Sequence, residues 1–145
     1  MTRVASWSVP ILLSVLAVAG CGEDETGPVE DHTPADAALF VGGIDVSNSL
    51  VLPSGQVVRV EVRFLDDQGQ VIENIEDSHQ TALTFTPEDL ATTESVEGSN
   101  FQKDVTGGPA GTGSVMVGYG HDEAADELDF GPFNVIVPGP PSPNP

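Results

Sequence analysis

Cysteine is almost missing from this chain. Among 145 residues there is one, Cys21, so no disulfide can form within the chain and an exported domain must fold on its core alone. Basic residues are nearly as scarce: Arg3, Arg59, Arg63 and Lys103 stand against 23 acids, for a formal net charge of −19. A surface of that sign repels phosphate backbones and anionic headgroups, which argues against nucleic acid as a partner. Long apolar runs are absent too, since the longest, from about residue 9 to 19, falls short of the ~20 residues of a membrane-spanning helix. No stretch sustains a helical period. Nor is there an HExxH, paired-cysteine or EF-hand spacing, a nucleophile elbow, or a glycine loop followed by lysine and a helix. These absences argue against an enzyme.

The short apolar run reads as a secretory leader, with Arg3 before it and small residues after it. Its ending, "LAVAGC", resembles the bacterial lipobox. The resemblance implies cleavage after Gly20, lipid attachment (palmitate included) at Cys21, and a membrane anchor in the cell envelope. Gly22 rather than Asp follows the cysteine, which by the same resemblance implies the outer membrane if the source has two membranes. An ordinary leader with a chance cysteine is the plainer alternative. Residues 1–20 are thus expected to be a lipoprotein signal peptide. Residues 21–36 form an acidic tether with hardly any large apolar side chain, reaching roughly 20 Å if flexible. His32 falls in this tether. At the other end the Pro-rich tail, 138–145, cannot join a sheet.

Between them, residues 37–137 are enough for one small domain. "VVRVEVRF" alternates Val58, Val60, Val62 and Phe64 with Arg59, Glu61 and Arg63, the period of a half-buried strand. "TALTFT" repeats it with Leu83 and Phe85, "GSVMVGY" with Val115, Val117 and Tyr119, and "GPFNVIV" with Phe133, Val135 and Val137. Pro132 predicts an edge or a bulge near the start of that last strand. Weaker strands are expected at 39–44, 50–52, 91–96 and 101–105, with a short helical turn in "DEAADEL". Turn residues recur every 8 to 12 residues or so, which predicts an all-β, immunoglobulin-like antiparallel sandwich of seven to eight strands.

Taken together, "LPSGQVVRVEVRFLDDQGQVI", "ALTFTPEDLATT", "DVTGGPAGTGSVMV" and "FNVIV" resemble the bacterial immunoglobulin-like domains of the Big family. The resemblance covers about residues 50–137 and rests on pattern rather than diagnostic motifs. It implies a surface or envelope role, often adhesive, toward a protein or glycan partner. Phe85 stands where many members carry Trp. The connection 66–80 and the loop 120–128 exceed the family's usual tight turns, and binding residues tend to be placed on such loops.

With strands B to G set at 57–65, 81–86, 91–96, 101–105, 112–119 and 130–137, the BC, DE and FG loops should gather at one pole. That pole would hold Asp66, Asp67, Glu73, Glu76, Asp77 and His79 from BC, His121, Asp122, Glu123, Asp126 and Glu127 from FG, and Glu97 and Asn100 from the DE turn. Crowded carboxylates repel unless a cation neutralises them. Two imidazoles with Asp122, Glu76 or Asp77 would suit a zinc-like divalent metal; an all-oxygen set of Asp66, Asp67, Asp122 and Asp126 would suit calcium. Against both stands the plain alternative of solvated loops on a protein acidic everywhere. The sequence therefore points to a non-enzymatic, membrane-anchored envelope lipoprotein that binds a protein or glycan partner, or alternatively a divalent metal.

Overall fold

Alternation alone builds the central strand. Val57–Leu65 carries Val60, Val62 and Phe64 on one face, each at most 3% exposed, while Arg59, Glu61 and Arg63 face out. The computed structural model describes residues 33–140, and it shows the same logic along the whole domain. In chain order the strands are β1 (Asp36–Val41), β2 (Ile44–Asp45), β3 (Leu50–Val51), β4 (Val57–Leu65) and β5 (Gln80–Thr86). They continue with β6 (Ala91–Ser95), β7 (Gln102–Gly107), β8 (Gly111–Gly120) and β9 (Leu128–Val137). The one helical piece among the described residues is a 3-10 turn, Glu88–Leu90, between β5 and β6.

Five strands in the order β2-β1-β4-β7-β6 pack against four in the order β3-β9-β8-β5, an immunoglobulin-like β-sandwich. All pairs are antiparallel except β3 with β9, which run parallel with Leu50 opposite Val135. The core between the sheets joins Leu39, Leu50, Leu52, Val60, Phe64, Val105, Val115, Val117 and Val135, all at 0 to 1% exposed. Phe85, in the position the resemblance gives to Trp, is buried with them.

The structure corrects two details. The first strand ends at Val41 because Gly42 and Gly43 turn the chain with φ of 58° and 82°, so residues 39–44 are a hairpin and the strand count rises to nine. "DEAADEL" makes no helix: Ala125 takes φ of 47° and is 1% exposed, tucked beneath β8. The only helical turn among the described residues falls instead at "PEDL". A bulge at Gly131 and Pro132, where the β8–β9 register slips between Val115 and Val117, matches the irregularity that Pro132 predicts. Cys21 and His32, the signal peptide, nearly all the tether and the end of the Pro-rich tail lie outside the described residues. Among the described residues no helix is long and apolar enough to cross a membrane.

Candidate metal centre

The BC, DE and FG loops do meet. Asn100 Nδ2 in the DE turn donates to the Asp77 carbonyl at 2.6 Å, and its own carbonyl accepts from the Thr81 amide at 3.1 Å, lacing DE to BC. The FG loop is tied down by the Glu127 amide donating to the Tyr119 carbonyl at 3.0 Å. The described chain enters at this same pole, where the Ala35 amide bonds the Leu65 carbonyl.

His79 ends the BC loop immediately before β5, and the turn closed by its amide on the Glu76 carbonyl directs its ring inward. The ring is 6% exposed and stacks on Tyr119, with centroids 4.7 Å apart and planes 14° from parallel. Tyr119 in turn lies edge-on to Phe64 at 4.8 Å, so the imidazole rests on the aromatic end of the core. His121 follows β8 directly, its ring centroid 3.9 Å from that of His79. Glu127, just before β9, holds His121 Nδ1 through Oε1 at 2.5 Å. That hydrogen bond, more than the nearby imidazole charge, keeps the Glu127 carboxyl below its ordinary range.

Among the described residues, His79, His121 and Glu127 form one group in which a ligand atom from each lies within 4.8 Å of the others. A tetrahedral metal with bonds of ~2.0 to 2.1 Å needs its ligand atoms roughly 3.3 Å apart. The group is therefore assembled but wider than a bound metal would hold it. One buried atom fits this reading above all: His79 Nδ1 has no hydrogen-bond partner. Buried polar atoms are nearly always paired, so an orphaned ring nitrogen is a place for a ligand. The three residues line a pocket of about 220 Å³ with Thr33, Tyr119 and Leu128.

The other acids expected at the site stand outside this group. Asp122 Oδ1 accepts from the amides of Ala124 and Ala125 at 2.9 and 3.2 Å, shaping the FG turn. Glu76 accepts from Ser78 Oγ at 3.4 Å, and Asp77 takes part through its carbonyl. Asp66 Oδ1 is taken by the amides of Gln68 and Gln70 in its own turn, so the all-oxygen set is not assembled. Glu127 is one of the acids expected at this pole, but loop composition favoured Asp122, Glu76 and Asp77 over it as ligands. Its signal is positional: it is the last acid before β9, where pairing with β8 returns the chain to His121. Comparisons with protein-family models, with curated proteins and with solved structures found no match.

Proposed function

We propose that the protein is a non-enzymatic binding module of the cell envelope whose loop pole holds a divalent late transition metal through His79, His121 and Glu127. The observation that carries this is the buried, unpartnered His79 Nδ1 beside a second imidazole and a carboxylate. Two nitrogens and one oxygen suit zinc, copper, nickel or cobalt, whereas calcium asks for six to eight oxygens. Three protein ligands leave a position open toward the pocket, as in sites that take up a further ligand. Envelope anchoring through Cys21 is supported by the lipobox-like "LAVAGC", and an adhesive, Big-like role by the sandwich itself together with the strand pattern.

Thermal unfolding of the purified protein, first with chelator and then with each divalent ion in turn, tests this directly. A ligand at one hundred times its dissociation constant stabilises the fold by about 2.7 kcal/mol, several degrees in a domain of this size. We expect one or two transition metals to act at micromolar concentration, and His121→Ala and Glu127→Gln, both at exposed positions, to remove the shift while leaving the metal-free Tm nearly unchanged. A response to calcium and magnesium equal to that of zinc, and only at millimolar levels, would sink the proposal.

A further inference from the structure

A second site, sharing no lining residue with the metal pocket, lies on the open flank of the sandwich between the edge strands β5 and β6. There the two sheets leave a cleft of about 400 Å³, lined among others by Thr81, Leu83, Thr93, Ser95, Asn100 and Lys103. Lys103 is out of keeping with its position. β7 turns Lys103, Val105 and Gly107 inward by strict alternation, and Lys103 sits across from Val60, which is wholly buried. A lysine thus occupies a core-facing place normally given to an apolar residue, at 9% exposure.

Its partners make the placement more telling. Arg59 is paired to Asp104 by two hydrogen bonds of 2.9 Å, and Arg63 to Glu61. Lys103, the remaining cation of the described residues, has no carboxylate within ion-pair distance among them, in a chain with 23 acids. Its Nζ meets one neutral oxygen, Ser95 Oγ, at 3.1 Å, although an ammonium has three protons to donate. Burial pushes its pKa down, with Glu123 at the rim of the cleft opposing the shift.

The geometry points to this cleft as a binding site for a carboxylate on a hydroxyl-rich ligand, an acidic sugar such as a uronic acid, with Lys103 as the anion's partner. A partly buried ammonium with no carboxylate in ion-pair contact is completed by a carboxylate from outside. The remaining wall fits a sugar better than a peptide end: Thr93, Ser95 and Asn100 offer hydroxyl and amide groups for ring hydroxyls, and Leu83 an apolar patch for a ring face. Glu123 stands at the mouth as an internal competitor for the ammonium. This inference is independent of the metal reading, so its test is run with chelator present.

Amide NMR shifts of the isotope-labelled protein, titrated with sodium glucuronate and separately with methyl glucoside, decide it. We expect saturable shifts around Lys103, Ser95 and Thr93 with the acid and none with the neutral sugar. Lys103→Met should weaken binding about tenfold or more, the scale of a charged hydrogen bond, and Glu123→Gln should tighten it. Lys103→Met should fold at least as well as the parent, since it removes a buried charge, and its melting curve confirms that the binding loss is local. The molecule's net charge of −19 opposes any anion at long range, so added salt should leave the affinity unchanged or raise it. The inference is overturned if Lys103→Met binds as the parent does, if both sugars act alike, or if affinity collapses with salt. It is equally overturned if the carboxylate of acetyl-dialanine binds more tightly than glucuronate.

Discussion

Two side chains carry the functional readings, and both are polar groups at inward-facing positions: His79, buried where a loop joins a strand, and Lys103, turned inward in phase with Val105. His79 and His121 were legible as a pair once the strands were lettered, because strand order alone decides which loops share a pole. Lys103 was equally legible in "KDVTG", since the inward Val105 fixes its direction, but a lone base attracts less notice than a run of acids. What the sequence could not show is which carboxylate reaches the imidazoles, because that depends on turn hydrogen bonds a few residues away. Phe64 supports the pole from below, with ring centroids 5.8, 4.8 and 5.7 Å from those of Phe101, Tyr119 and Phe130. Phe64→Ala should cost about 3 to 5 kcal/mol in urea unfolding. It should also blunt the metal response, because Tyr119, on which His79 stacks, loses the ring it meets edge-on.

Among the elements, the strongly alternating strands were readable nearly to the residue, since half-buried sheets impose a period of two that no other structure shares. Loops were readable only where glycine or proline marked a turn. The FG loop shows why composition misleads: "DEAADEL" has good helix formers, yet the Asp122 side chain and the backbone at Gly118 and Gly120 hold it as a tight irregular turn. A Cβ added at Gly118 would run into the Ala125 carbonyl, which is backbone and cannot swing aside. Gly118→Ala should therefore shift the loop and destabilise by about 1 to 3 kcal/mol. Metal titration of this variant should show a larger proportional loss than melting does, because His121 and Glu127 flank the displaced segment.

For the molecule as a whole, charge sets the response to solvent. With a net charge of −19 and, among the described residues, two arginine ion pairs on the surface, self-repulsion exceeds what those pairs return. Raising sodium chloride from ~0.01 M to ~0.15 M shortens the screening length from about 30 to about 8 Å. Calorimetry should accordingly show Tm rising with salt, and a fall would mean that the surface pairs outweigh the repulsion. The all-β sandwich was foreseeable from strand number and spacing, and the parallel β3–β9 pair was the part that spacing could not supply.

That parallel pair also has a mechanical meaning. The described chain enters beside Leu65 at the loop pole and leaves β9 at Val137, opposite Gly111, at the far pole. Tension applied between these ends pulls β3 backward and β9 forward along the same axis. Leu50, Val51 and Leu52 are then loaded against Val135 and Ile136 in shear, with their rungs sharing the force rather than parting one by one as in unzipping. A domain built this way resists being stretched more than its small size suggests, and yields more readily when pulled across its strands than along them.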